Sequence, residues 1–429
     1  MRQHLIRNIF DQYRHSENRL THALIHVLAG DARLTRDFVK FATGSPAPKG
    51  ASLCLSCQLL PGEEGQRAVE EDYAERRGLP DAWIYDERLG WAVICESKIT
   101  ASLTTKQLVR HVITARKRGF QDTHLLVITA HESSPAAIAR LPRHVSASWI
   151  GWPDIFDFFT RHAGSKLESE FVSYMRVLEA QLMADGYQGS PLTKFTGIPF
   201  GAAYPYNEAE AKVVLRALMR ELRRRLADSR VLPIDPMTQR PAMTGTWDIV
   251  GFRFASPQEF TREPHLTVVI GDGASIQLTL PNNARPEYWR RLRSVSRERL
   301  GEALVEVAEA IRPVRHHVER DLWEPRLTLD LLQRHFYARR EETLDGFIQF
   351  DVDVLLDSER KVNSGVKKVQ AWLDAVHVMV AQSHRANFQL ELSVRFPHSD
   401  RSVCRGPQFV DALVASAEAL EPFLALLLD

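Results

Sequence analysis

The sequence has few cysteines, no long apolar runs and almost no excess of charge. Its 429 residues include four cysteines, which are too few and too scattered for a disulfide framework. No apolar run approaches the roughly 20 residues needed to span a bilayer. The N-terminus also lacks the long apolar core of a signal peptide. We therefore expect a cytoplasmic protein with no membrane partner.

The charge balance excludes a protein that coats nucleic acid through bulk positive potential. There are 55 basic against 54 acidic residues, for a net charge of +1, and 11 of the basic residues are lysines. Any phosphate binding must therefore be local, in a groove or a patch.

Several motifs of common enzyme classes are missing. The sequence has no G-x-x-x-x-G-K-[ST] loop, no H-E-x-x-H and no G-x-S-x-G, which disfavours ATP-driven motors, zinc proteases and serine hydrolases. Cys54 and Cys57 form the only CxxC, and no second such pair completes a zinc site. We interpret them as ordinary small side chains, and His22 and His26, four residues apart, as surface histidines.

The length of the sequence and a change in its pattern of predicted helices and strands indicate two domains, 1–185 and 207–429. A linker, 186–206, rich in Gly, Pro, Tyr and Ser, joins them. The first domain reads as two helices followed by alternating strands and helices, with a strand-like segment at 67–77 and a hairpin of strands 81–85 and 91–99. The second has strands joined by short turns and helices in separate blocks, including one at 287–311 and a terminal one from 409. This pattern predicts an α+β domain with antiparallel strands.

One group of charged residues on the predicted hairpin is a candidate active site. Asp81 opens the first strand of the hairpin, and Glu96, Ser97 and Lys98 end the second. Alternate residues of a strand share a face, so Glu96 and Lys98 project together while Ser97 points away and offers its carbonyl. The carboxylates of Asp81 and Glu96 could then hold one hard cation, the kind of ion that oxygen ligands prefer.

Pro80-Asp81 followed by Glu96-Ser97-Lys98 resembles the PD-(D/E)XK nuclease superfamily, whose core pairs an Asp on one strand with Glu-x-Lys on the next. Two further matches surround this core. Glu17 lies on a helix before the sheet, above the predicted buried stripe of Leu20, Thr21, Leu24 and Leu28, and Gln107 lies on the helix after the Lys strand. The resemblance covers 1–185 and implies a restriction-endonuclease-like mixed sheet flanked by helices, an α/β fold.

The resemblance also implies the activity, a metal-dependent DNA endonuclease that hydrolyses phosphodiester bonds and leaves a 5′-phosphate. Mg²⁺, for which Mn²⁺ can substitute, would be held by Asp81, Glu96, the Ser97 carbonyl and Glu17. Lys98 would position the attacking water or stabilise the transition state, and Gln107 would steady the nucleophile or the substrate. By analogy, we expect a bacterial restriction or antiphage defence nuclease. Its C-terminal domain would recognise the target or sense a phage-derived protein or ligand, and a homodimer would cut both strands.

Less specific interpretations stay open at this point. Glu17 could favour the helix dipole only. Asp81, Glu96 and Lys98 could form a structural ion pair, and Gln107 and His111 could belong to a solvated helix face. The alternative function is a non-cleaving, nuclease-like subunit that binds nucleic acid or protein within a larger defence or repair complex.

Overall fold

The computed structural model describes residues 16–58, 60–61, 78–131, 133–162, 164–201, 205–235, 245–254, 260–319, 322–335, 343–352, 365–382, 387–398 and 402–428. The chain divides into two compact units, Met1–Lys194 and Phe195–Asp429. The boundary lies inside the predicted linker, 186–206. None of the helices in the described ranges combines the length and the apolar character that a bilayer span requires.

The first unit is built on a five-stranded mixed sheet in the order β1-β2-β3-β4-β5. Neighbours β1, β2 and β3 run antiparallel, whereas β3, β4 and β5 run parallel. The mixed α/β class predicted for this unit is confirmed. The strands are β1 Cys54–Cys57, β2 Ala82–Asp86, β3 Trp91–Lys98, β4 Asp122–Thr129 and β5 Ser146–Gly151.

Helices cover both faces of this sheet. One face packs against α1, whose stripe of Leu20, Thr21, Leu24 and Leu28 is buried as the sequence predicted. The opposite face packs against α3 through Trp83, Ile94 and Leu108. The helices are α1 Ser16–Ala29, α2 Ala32–Thr43, α3 Thr105–Lys117, α4 Ala136–Ala139, α5 Trp152–His162 and α6 Lys166–Ala184.

The predicted hairpin of β2 and β3 is confirmed, with Ala82 opposite Cys95 and Asp86 opposite Trp91. Gly90 closes the turn in the left-handed region, at φ 60°. The strand-like segment at 67–77 lies outside the described residues. Strand β1 was missed, because its four residues are too short for alternation to be recognised.

The second unit contains a seven-stranded sheet in the order β13-β12-β14-β9-β8-β7-β6, in which every neighbouring pair is antiparallel. This confirms the predicted antiparallel strands. The strands are β6 Ile234–Asp235, β7 Trp247–Phe252, β8 His265–Ile270, β9 Gly273–Leu280, β12 Arg326–His335, β13 Thr343–Asp351 and β14 Phe388–Pro397, and the separate ribbon β10 His316–Glu319 with β11 Leu322–Glu324.

Six α-helices accompany these strands within the described ranges of the second unit. The segment predicted as one helix at 287–311 is in fact two, because Val295 is extended and Ser296 caps the second helix by accepting a hydrogen bond from the Arg299 amide. The terminal helix likewise divides at Leu420. The helices are α7 Glu208–Leu226, α8 Pro286–Ser294, α9 Arg297–Ile311, α10 Gly365–Ala381, α11 Phe409–Ala419 and α12 Glu421–Leu428.

The segment predicted as a linker has no helix or strand among its described residues, but it is packed within each unit. Leu192 lies in the core of the first unit, and the amide of Thr193 donates to the carboxylate of Glu179. In the second unit, the amide of Ile198 donates to the carbonyl of Cys404. Its backbone is therefore fixed by tertiary contacts rather than by secondary structure.

Candidate active site

The hairpin brings the predicted acidic residues together at one end of the sheet. Asp81 directly precedes β2, whose first residue pairs with Cys95, so Asp81 lies across from Glu96. The amide of Ser97 donates to Asp81 Oδ2 over 2.8 Å. The N–H and C=O groups of one residue point to the same side of a strand, so the Ser97 carbonyl also faces Asp81.

Glu96 is the centre of the cluster and is 1% exposed. Its Oε1 lies 2.7 Å from Lys98 Nζ and accepts a hydrogen bond from Gln107 Nε2, also over 2.7 Å. Its Oε2 lies 2.9 Å from His111 Nε2. Three cationic or donor groups thus compensate one buried carboxylate, as a charge removed from water requires.

Helix α3 delivers two of these partners. Thr104 caps its N-terminus by accepting a hydrogen bond from the Gln107 amide, while Leu108 and Val112 anchor the helix to the sheet. Gln107 and His111 are one turn apart and share a face. The interpretation of these two residues as a solvated face is wrong, since His111 is 2% exposed and Gln107 reaches Glu96.

His111 is held between two acceptors. Its Nδ1 donates to the carbonyl of Gly78 over 3.0 Å, and its Nε2 faces the carboxylate of Glu96. An imidazole must carry both protons to donate to both acceptors. Burial lowers the pKa of His111, but the bond to Glu96 and the charge of Glu96 outweigh it and raise this pKa above its usual value. The carboxylate of Glu96 thus favours the imidazolium form of His111.

The two carboxylates have opposite protonation behaviour. Burial raises the pKa of Glu96, but the bond and charge of His111, followed by those of Lys98, lower it overall. The pKa of Asp81 rises to about 7, first because burial disfavours its charge and then because the charge of Glu96 repels it. Near neutral pH, Asp81 therefore gains or loses a proton, whereas Glu96 stays ionised.

These residues fit a divalent cation in their chemistry. Asp81 and Glu96 supply two adjacent hard oxygen donors, and the charge of Glu96 is, after burial, the second cause of the raised pKa of Asp81. A bound cation would relieve that repulsion, and Mg²⁺ needs only one or two carboxylates because it keeps several waters. Within the described ranges there is no group of three His, Cys, Asp or Glu side chains placed to hold a metal.

The position of Glu17 is fixed only at the level of its helix. It is the second residue of α1, and α1 packs on the sheet face opposite to the one that carries Glu96. Its side chain lies outside what the structure describes, so its role stays a prediction.

The remaining candidate ligands do not join the cluster. Cys57 is a free thiol whose pKa is raised to about 12 by burial and by the charge of Asp81, so it is not a thiolate at neutral pH. His22 and His26 stack on each other, with ring centroids 6.4 Å apart.

Two features of the site were not assigned from the sequence. His111 was weighed as a surface residue, although its spacing of four from Gln107 was a signal that both face the Lys strand. Gly78, whose carbonyl orients His111, adopts φ 69°. No sequence signal identified it, because only the folded chain brings it to α3.

Comparisons with protein-family models, with curated proteins and with solved structures each returned no match. The assignment of this site therefore depends on the geometry of Asp81, Glu96, Lys98, Gln107 and His111.

Proposed function

We propose that this protein is a metal-dependent DNA endonuclease whose active site is the cluster around Glu96. The observation that carries the proposal is the convergence of Asp81, Glu96, Lys98 and Gln107 at one end of a mixed sheet. A buried ion pair needs only two partners, whereas this cluster contains a second carboxylate, Asp81, that forms no ion pair with any residue in the described ranges. Perturbed pairs of this kind occur preferentially at functional sites.

Asp81, Glu96 and the Ser97 carbonyl would hold Mg²⁺ or Mn²⁺, with Glu17 as a further candidate. Bound there, the ion supplies Lewis-acid stabilisation of a phosphate oxygen and lowers the pKa of a coordinated water. Lys98 brings a positive charge to the same end of the strand, where it can orient the attacking water or stabilise the extra negative charge of the transition state.

Gln107 and His111 act on the position of Glu96. Gln107 donates a hydrogen bond to Glu96 Oε1, and His111 Nε2 lies 2.9 Å from Oε2, so these two side chains of α3 would fix the plane of the Glu96 carboxylate. Lys98 keeps 14% of its side chain exposed to solvent. Groups that fix a ligand in this way are as important to a metal site as the ligands themselves.

The alternative is a nuclease-like subunit that binds without cutting. It is favoured by the complete set of partners that Glu96 already has within the protein, which is what a structural ion-pair cluster would show. Binding of a cation distinguishes the two proposals, since Mn²⁺ would offset the unfavourable charge of Asp81 in a metal site but not in a structural cluster.

The role of the second unit follows by analogy only. It is a separate compact body with its own core, so we propose that it recognises the target or senses a phage-derived trigger. A bacterial restriction or antiphage role, and cleavage of both strands by a homodimer, belong to the same proposal.

The test is a cleavage assay with supercoiled and linear DNA in Mg²⁺ or Mn²⁺. It compares the unmodified protein with the variants Asp81→Asn and Lys98→Met. Two matched controls on α2, Asp37→Asn and Lys40→Met, remove the same charges from exposed positions. We expect nicking that is lost in both site variants and kept in both controls. Cutting that survives Asp81→Asn and Lys98→Met would overturn the assignment. Titration calorimetry with Mn²⁺ that detects no binding would favour the non-cleaving alternative.

A further inference from the structure

A stretch without acidic residues follows Glu96 in the sequence. Residues 97–121 contain six lysines and arginines and no Asp or Glu. In a chain with 54 acidic residues among 429, such a stretch is a local departure from overall neutrality. Most of it is helix α3, so its charges are held on one rigid element.

The helical periodicity places part of this charge in a line. Lys106, Arg110, Ile113 and Lys117 are spaced i, i+4, i+7 and i+11, which is one face of an α-helix. We call these four residues the α3 stripe. It lies beside the face of Gln107 and His111 and away from the buried face of Leu108 and Val112. The stripe is therefore next to the residues that hold Glu96.

The two lysines of the stripe are available to a partner. Lys106 and Lys117 are exposed, and neither forms an ion pair with an acidic residue in the part of the chain that the structure describes. Ile113, between them, is 47% exposed. An exposed isoleucine flanked by cations fits a partner that has both anionic groups and apolar patches, as the phosphates and sugars of a nucleic acid backbone do.

We propose that the α3 stripe binds the backbone of the nucleic acid that the candidate site cleaves. From Lys106 to Lys117 the helix rises about 16 Å, a length that corresponds to about five base-pair steps along one strand of a duplex. A strand whose scissile phosphate lies at Lys98 would thus continue along the helix. This inference depends on the proposed function for its choice of nucleic acid over other polyanions.

The test measures binding rather than cleavage. A fluorescein-labelled 30-base-pair duplex is titrated with the protein in EDTA at several NaCl concentrations, using the full chain and the variant Lys106→Gln/Lys117→Gln. Each lost phosphate contact makes the dependence of log K on log[salt] shallower by about 0.9, so the double variant should lose about 1.8 from the slope. Ile113→Asn should weaken binding at all salt concentrations without changing the slope.

Arg110 is left intact in this design, because its side chain packs over Gly78, which orients His111. The matched control is Lys40→Gln/Lys49→Gln, which removes two exposed lysines from the region of α2. We expect its slope to equal that of the unmodified chain. An unchanged slope in the α3 variant, equal losses in both double variants, or no duplex binding at all would each overturn the proposal.

Further arms separate the possible partners. Binding to phosphatidylserine vesicles in place of DNA would assign the stripe to a membrane surface and refute the proposal. The titration is repeated with a labelled 30-base single strand, where each lysine should contribute about 0.7 to the slope. Tighter binding of the single strand than of the duplex, with this slope lost in the double variant, would support the stripe with a single-stranded substrate. Cleavage that depends on Asp81 together with an unchanged slope would leave the proposed function standing and remove the stripe. A reduced slope in the α3 variant without any cleavage by the unmodified protein would support the stripe as a nucleic-acid-binding surface and refute the proposed endonuclease function.

Discussion

Replacing Asp81 by Asn should stabilise the metal-free protein more strongly at pH 8 than at pH 5. In the folded chain the pKa of Asp81 is about 7, against an ordinary value of 3.8. The folded state therefore keeps a proton on Asp81 that the unfolded state releases. A raised carboxyl pKa makes the fold lose stability as pH rises from about 4 to about 7, and the loss persists at higher pH.

The size of the effect follows from the shift. A difference of roughly three units corresponds to about 4 kcal/mol at the alkaline limit, because each pKa unit is worth about 1.4 kcal/mol. Partial exposure of Asp81 to solvent screens part of this, so we expect a gain of about 1 to 3 kcal/mol for Asp81→Asn at pH 8. Asn retains an oxygen that can accept the hydrogen bond of the Ser97 amide. At pH 5 Asp81 is protonated in the folded protein but ionised in most unfolded chains, so the gain from Asn should be less than half of that at pH 8.

The assay is calorimetric unfolding in EDTA at pH 5 and pH 8. A gain of 1 kcal/mol raises the melting temperature of a unit of this size by about 2 to 4 °C. The control is Asp86→Asn at the other end of β2. Asp86 accepts hydrogen bonds from the amides of Ser52 and Leu89, and the first of these is the main reason that its pKa is lowered. This variant should be destabilised at both pH values.

Added Mn²⁺ should reverse the order at pH 8, since only the chain with both carboxylates gains the full binding energy of a cation. If Asp81→Asn destabilises the protein equally at pH 5 and pH 8, the charges of Asp81 and Glu96 do not oppose each other and the argument for a cation site fails.

Three further predictions concern the supports of the site and the second unit. His111→Ala should cost about 1 to 3 kcal/mol, because it removes the group that faces Oε2 of the buried Glu96 carboxylate. Because the pKa of His111 is raised, the cost should be full below pH 6.5 and shrink as pH rises through the folded value, as urea unfolding at pH 5.5 and 9 will show. Gly78→Ala should destabilise the protein more than Gly119→Ala, measured by melting temperature. Both glycines have positive φ, but an added Cβ at Gly78 meets Arg110 Cδ at 2.5 Å and one at Gly119 meets nothing within 4 Å. Asp330→Ala should cost about 3 to 5 kcal/mol in the second unit, where Asp330 is fully buried against Arg395 and Gln349, whereas exposed Asp411→Ala should cost little.

The fold could be predicted where the sequence pattern is local. The short apolar runs of β2 and β3 and the glycine between them predicted their hairpin, and the apolar stripe of α1 predicted its buried face. The break at Val295 was missed, because a single residue in extended conformation does not disturb an apolar period that continues on both sides of it. Strand β1 forms by pairing with β2, and this long-range contact could not be predicted from the four residues of β1 alone.

The site was predictable to the same extent. The alternation rule placed Glu96 and Lys98 on one face, and they lie 2.7 Å apart. The burial of His111 could not be predicted, because α3 and the Gly78 turn meet only after the sheet has formed. The basic residues that neighbour His111 in the sequence indicate a solvent-exposed helix, and sequence alone therefore predicts an exposed histidine.

The cluster around Glu96 is difficult to explain by stability. An apolar replacement of a buried ion pair is often neutral or stabilising, and here the pair is accompanied by Asp81, whose ionisation is disfavoured by burial and by Glu96. Lys98, Gln107 and His111 compensate Glu96, whereas the carboxylate of Asp81 accepts a hydrogen bond from the Ser97 amide and from no other group among the residues that the structure describes. A fold that gained nothing else from Asp81 would be more stable with Asn at this position. The retention of a carboxylate there is therefore an argument for a ligand of positive charge, and the acid-free α3 beside it is an argument that the same ligand arrives with a polyanion.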